Sequence, residues 1–147
     1  MWKPGLPGSC VAELAQKLGL QEGQLICLLE APAEASQFLL ALLPSSVIIH
    51  TSLEASNYDL ILVWPLRLEG LEQLFSRLQA HLQPAGAIWA VMPKQKYARQ
   101  RSIDYSWNQL QAVALTTGLV DNKTASFNEQ AYATRFVIHK LNWAKTL

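Results

Sequence analysis

Three apolar stretches, Leu25-Ile-Cys-Leu-Leu-Glu30, Tyr58-Asp-Leu-Ile-Leu-Val-Trp-Pro65 and Gly86-Ala-Ile-Trp-Ala-Val-Met-Pro93, each stop at a Glu or a Pro. Segments with helical apolar spacing separate or follow them. Near-continuous apolar runs of this length belong to strands covered on both faces, which means a parallel sheet with helices on either side. Ligands of such sheets sit beyond the carboxyl ends of the strands, so Glu30, Pro65 and Pro93 mark where a site is to be sought.

The intervening segments fit that plan. Residues 1–8 read as a Pro/Gly-rich arm; Ser9 can then cap a helix with Val11, Leu14, Ala15 and Leu18 on one stripe, stopped by Gly19. The first strand is expected at about residues 24–29. Pro32 suits a first helical turn, and Ala35, Phe38, Leu39 and Leu42 form a second stripe that Pro44 ends. Val47-Ile-Ile-His50 is the second strand. Leu71, Leu74, Phe75, Leu78 and Leu82 trace a third stripe, with Glu69 and Glu72 near its positive end. Pro84-Ala-Gly86 is expected to turn the chain into the next strand. Asp104 is the expected cap of a helix that carries Trp107, Leu110, Val113 and Ala114 inward and stops at Gly118. Residues 120–127 and 132–140 read as a hairpin that closes one edge of the sheet antiparallel.

One connection is unusual. Only Leu53-Glu-Ala-Ser-Asn-Tyr58 stands between Ser52 and Asp59, too few residues for the helix that ordinarily joins parallel strands. About eight extended residues reach roughly 26 Å, and a return along a five-residue strand with a two-strand sidestep needs about 19 Å. The spacing predicts a bare crossover.

The 147 residues suit one domain spanning 1–147, and half of them are hydrophobic. A formal charge of +1 supplies no general field for nucleic acid, anionic membrane or acidic substrates. No apolar run approaches the roughly 18 residues that span a bilayer, and Leu6 to Cys10 lacks the apolar region of a signal peptide. The expectation is a soluble, cytoplasmic protein with no membrane partner. Cys10 and Cys27 read as incidental or buried thiols rather than a disulfide framework.

Side chains that could carry chemistry are dispersed. His50, His81 and His139 lie on separate elements without metal-ligand spacing, so no metal site is expected. Ser45, Ser46 and Ser52 have no nucleophile-elbow setting, and no catalytic residue is assigned. Glu30 and Glu34 stand one turn apart, a pattern that a helix N-terminus collecting favourable acids explains. Lys94, Lys96, Arg99 and Arg101, with Tyr97 among them, form a basic loop that could hold phosphate or a nucleic acid; a solvated loop has the same composition.

The order of elements, the Asp59-initiated strand and the Leu82-Gln-Pro-Ala-Gly86 segment before the next strand resemble the Rossmann-like class I methyltransferases over nearly the whole chain from Val11. A closer resemblance is to a family of short bacterial proteins of unknown function with a truncated version of that plan. It rests on Leu14-Ala-Gln-Lys-Leu-Gly-Leu-Gln-Glu-Gly23, Ala87-Ile-Trp-Ala-Val-Met-Pro-Lys94 and Thr117-Gly-Leu-Val-Asp121. The fold expected is a three-layer α/β sandwich, a truncated Rossmann-like methyltransferase domain. Its mostly parallel strands run in the order second, first, third, fourth, followed by the C-terminal antiparallel hairpin.

The resemblance also implies an S-adenosylmethionine site: a glycine-rich loop after the first strand and an acid at the end of the second. Here Glu30 matches the acid that begins the loop, but Pro32 stands where a glycine belongs and removes a backbone donor. The second strand ends in His50-Thr-Ser52, with Glu54 two residues late. The leading reading is therefore a non-catalytic, cofactor-less binding or regulatory module. Its small-molecule or protein partner would meet a strand-end crevice lined by Glu30, Pro32, Trp64, Pro65, Pro93 and Lys94, against the competing reading that the tryptophans are core. The alternative is a divergent S-adenosylmethionine-dependent methyltransferase, and a third reading is a nucleic-acid-binding accessory protein using the basic loop. The hairpin's outer strand leaves an edge through which a homodimer could extend the sheet.

Overall fold

The computed structural model describes residues 14–43, 46–94, 97 and 103–139. Helix α1 is described over residues 14–18. It is followed by β1 (Leu25–Leu29), α2 (Ala33–Leu42), β2 (Ile48–His50), β3 (Tyr58–Val63), α3 (Leu71–Ala80), β4 (Leu82–Pro93), α4 (Trp107–Thr116), β5 (Leu119–Ser126) and β6 (Ala131–Ile138). The six strands form one sheet in the order β2-β1-β3-β4-β6-β5. β1 to β4 are parallel, and β6 runs antiparallel to both β4 and β5. Ser9, Cys10, Val11 and Pro44 lie outside the described residues.

Alternation along the central strands divides the core into two layers. Ile61, Val63, Ile88, Ala90 and Met92 face α3 and α4, where Phe75, Leu78 and Leu110 meet them. Leu60, Leu62, Trp89 and Val91 face the other side, toward Leu14 and Leu18 of α1 and Ala35 and Leu39 of α2. With helices on both faces, β3 reads as an apolar run rather than an alternating one. Trp89 is fully buried, and its indole N–H donates to the Leu18 carbonyl at 3.0 Å. The largest core side chain thus satisfies a carbonyl that the end of α1 leaves open. Gly19 follows at φ 79°, and the bonds Gly19 N to Gln16 O and Leu20 N to Ala15 O complete a Schellman stop.

The bare crossover is present: residues 51–57 form neither helix nor strand. Leu53 and Ala55 pack onto the core layer that faces α3. The Tyr58 hydroxyl, on a fully buried side chain, holds the segment in place. It accepts from the amides of Glu54 (3.0 Å) and Ala55 (3.2 Å), donates to the Ser52 carbonyl (3.1 Å), and lies 2.6 Å from Nδ1 of His50. His81 Nδ1–H adds a bond to the Ala55 carbonyl.

Three local expectations are corrected. Pro84-Ala-Gly86 is not a turn into a strand but part of β4, which carries a bulge there. Between the pairs Tyr58–Leu82 and Leu60–Ala87 the chain of β3 advances two residues and that of β4 five. Gly86 is needed because a Cβ would stand 2.9 Å from the carbonyl oxygens of both Tyr58 and Asp59. Asp104 does not cap α4. Ser106 does, in a capping box with Gln109, because the amide of Leu68 claims the Asp104 carboxylate at 2.8 Å. Pro32, expected in the first helical turn of α2, is its N-cap, and its carbonyl accepts from Ser36 N at 3.0 Å.

The terminal hairpin is anchored by the Trp107 indole N–H, which donates to the buried Thr134 hydroxyl at 2.9 Å. β5 forms one edge of the sheet, and its exposed Asn122, Lys123 and Thr124 with a register shift at Asp121–Lys123 are features that oppose strand addition.

Candidate functional site

β1 sends the chain to β2 on one side, and the chain returns to β3 on the other, so the sheet's switch point lies between the carboxyl ends of β1 and β3. The two strands stay paired to Leu29–Val63, and Trp64 N donates to Leu29 O at 3.1 Å. Beyond that bond they part. A cleft of about 280 Å³ opens there, near the lower end of the roughly 300–1,000 Å³ typical of ligand sites.

Leu29, Val63, Leu71 and Leu74 give the cleft an apolar lining, and Glu30 and Pro65 lie at the strand ends. Leu66, Arg67, Glu69 and Arg77 complete the charged and exposed part of its lining. Two bonds from the segment before α4 hold the β3–α3 loop. The Tyr105 hydroxyl donates to the Pro65 carbonyl at 2.6 Å, and the Leu68 amide bonds Asp104. Burial pushes the Tyr105 phenol well above its ordinary range, so it serves as a neutral donor.

The β1–α2 turn has a conformation of its own. Glu30 sits at φ 61°, the left-handed region that side chains other than glycine seldom enter. A carboxylate therefore stands at the cleft on backbone of the shape that glycine usually supplies. Pro32, two residues on, contributes no N–H and does not line the cleft; neither does Glu34.

The end of β2 is engaged elsewhere. Ser52 donates through its hydroxyl to Glu54 at 3.2 Å, while its carbonyl is taken by Tyr58 and by the Cys27 thiol at 3.5 Å. Burial pushes that thiol up to about 11, so it is a protonated core group and not a nucleophile. Among the described residues no three His, Cys, Asp or Glu side chains converge as a metal site would require.

Of the six residues expected to line the crevice, the fold brings Glu30, Trp64 and Pro65 together. The Trp64 ring is also packed, edge-on to Phe127 at 5.9 Å, so it is both core and lining. Pro93 and Lys94 are carried away. β4 continues three residues past Ala90, the partner of Val63, and there it pairs with β6 up to Pro93–Ala131, after which Lys94 N bonds Gln130 O at 2.7 Å. Lys96, Arg99 and Arg101 lie outside the described residues. Arg67, Glu69 and Arg77 were not anticipated. Their only signal was position: Arg67 and Glu69 follow Trp64-Pro65, and Arg77 stands seven residues after Gly70, on the helix flank beside Leu74.

No family model matches the chain, and no curated protein matches it. Solved structures do. A SAM-dependent methyltransferase from Aquifex aeolicus superposes with a TM-score of 0.62 at 9% identity, over 91% of this chain and 94% of that one. A putative type 11 methyltransferase from Sulfolobus solfataricus gives 0.61 at 12% identity over 86% and 90%. A TehB-like SAM-dependent methyltransferase from Corynebacterium glutamicum gives 0.57 at 13% over 88% and 87%. The chain has the Rossmann-like fold of class I methyltransferases. At such identities the likeness concerns the fold alone. No helix among the described residues is long and apolar enough to cross a membrane.

Proposed function

We propose that this chain is a divergent S-adenosylmethionine-dependent methyltransferase whose ligand occupies the cleft between β1, β3 and α3. The observation that carries the reading is the coincidence, at the switch point, of that cleft with a carboxylate on left-handed backbone at Glu30. The similarity in fold to proteins described as methyltransferases supports it.

The residues fit one half of such a cofactor. Glu30 offers a carboxylate to a cationic group, while Leu29, Leu71 and Leu74 exclude water from an apolar one. When bound, the cofactor would supply an electrophilic methyl group on a sulfonium. The ribose half has no acid from β2, since Ser52 and Glu54 are bonded to one another away from the cleft. Two features favour a second reading, a binding or regulatory module without a cofactor: that missing acid, and Pro32 in the turn.

Calorimetric titration separates the two. The first reading expects saturable heat with S-adenosylmethionine and S-adenosylhomocysteine, lost in Glu30→Gln; no heat at millimolar ligand sinks it and leaves the second.

A further inference from the structure

We propose that Arg67 and Arg77 bind an anionic oxygen group, carboxylate or phosphate, on an otherwise apolar molecule that enters the cleft. The inference rests on reading the cleft as a ligand site. Two adjacent stripes of α3 carry the argument. Leu71, Phe75 and Leu78 form the fully buried stripe that meets the sheet, whereas Gly70, Leu74 and Arg77, spaced i, i+4 and i+7, lie along the cleft. The macrodipole accounts for a cation in the last turn of α3, but not for its place on the stripe that borders the cleft. Arg67 reaches the same cleft from a loop that Tyr105 and Asp104 hold by the backbone, so its Cα is fixed independently of any ligand.

Neither guanidinium has an ion-pair partner among the described residues, although Glu30 and Glu69 line the same cleft. Glu69 stands one residue before the N-cap of α3, near the positive end of the helix dipole, and Glu30 follows the end of β1. Two planar forks beside Leu29, Leu71 and Leu74 match a molecule with an anionic end and an apolar body.

The test is an amide-resolved NMR titration of the full chain with benzoate, its neutral methyl ester and inorganic phosphate. Saturable shifts at Gly70, Leu71 and Leu74 are expected with benzoate. They should be at least about tenfold weaker in affinity with the ester, and equally weakened in the Arg67→Gln/Arg77→Gln double variant. Phosphate reports whether the anionic group alone suffices, and its shifts should vanish in the same variant. Shifts absent from these amides, an ester that binds as well as benzoate, or a double variant that titrates like the parent overturns the proposal. S-adenosylmethionine titrated into both proteins keeps the two readings apart. A parent that shifts with benzoate but gives no heat with S-adenosylmethionine loses the methyltransferase reading and keeps the anion site.

Discussion

Replacing Tyr58 with Phe tests how a seven-residue link can join β2 to β3 without a helix. The ring is fully buried and stacks edge-on against His50 at 5.5 Å, so Phe retains the packing and removes one oxygen. That oxygen accepts from two backbone amides, Glu54 and Ala55, donates to the Ser52 carbonyl and touches His50. Orphaning two half-buried amides costs about 1 kcal/mol each, and the lost His50 contact about 0.5–1 kcal/mol more, for a sum of about 2–3 kcal/mol. For a chain of this length that lowers Tm by about 4–12 °C. Urea titration reads the free energy, and hydrogen exchange reads the cause: Glu54 and Ala55 should lose their protection in Tyr58→Phe well before the strands do. A variant within about 0.5 kcal/mol of the parent, with those two amides still protected, would show that the packing of Leu53 and Ala55 and the His81 bond hold the segment without the Tyr58 hydroxyl.

Other substitutions address separate joints of the fold. Gly86→Ala drives a methyl against two backbone carbonyls that cannot rotate away, and should cost about 1–3 kcal/mol by chemical denaturation. Trp89→Phe leaves the Leu18 carbonyl buried without its donor and opens space beside α1, with an expected loss of about 2–3 kcal/mol. Cys27, in a Cys10→Ser background, should resist a thiol reagent at pH 8 until the protein unfolds. Because the folded thiol holds its proton up to about 11, above its ordinary value of 9.0, stability should be full below pH 9 and fall as pH rises toward 11. Denaturation midpoints across that window check the sign.

The strands and the bare crossover were legible because they follow from composition and length: apolar runs for covered strands, and a link too short for a helix; the strand order came from the resemblance in fold. Gly19 and Gly118 likewise announced their helix ends, and both take positive φ. The misses have a common cause in partners distant along the chain. Asp104 and Ser106 are equally good caps locally, and the choice is made by Leu68, 36 residues away. The Leu82–Gly86 segment reads as a turn until Asp59 is placed beside it, where its carbonyl crowds Gly86 and its carboxylate binds the Leu25 amide and Gln83. At the cleft, Glu30, Trp64 and Pro65 followed from topology. Pro93 and Lys94 failed because β4 overshoots β3 along β6, a length that only the antiparallel partner sets. Which flank of α3 borders the cleft, and hence Arg77, depends on packing that a single stripe does not determine.

Glu30 is where stability and function can be pulled apart. A non-glycine residue at φ 61° costs about 1–2 kcal/mol, and a glycine there would relieve it while adding about 0.5–1 kcal/mol of freedom to the unfolded chain. Glu30→Gly should therefore stabilise the fold by about 0.5–1 kcal/mol, raising Tm by about 1–4 °C, whereas Glu30→Gln should leave Tm where it is. If the carboxylate serves a ligand in the cleft, both variants lose S-adenosylmethionine binding, and only the glycine variant gains stability. A glycine variant no more stable than the parent would remove the strain from the argument. Parent-like binding in both variants would remove the carboxylate, leaving the turn as a structural feature of the β1–α2 connection and placing any recognition on the α3 side of the cleft.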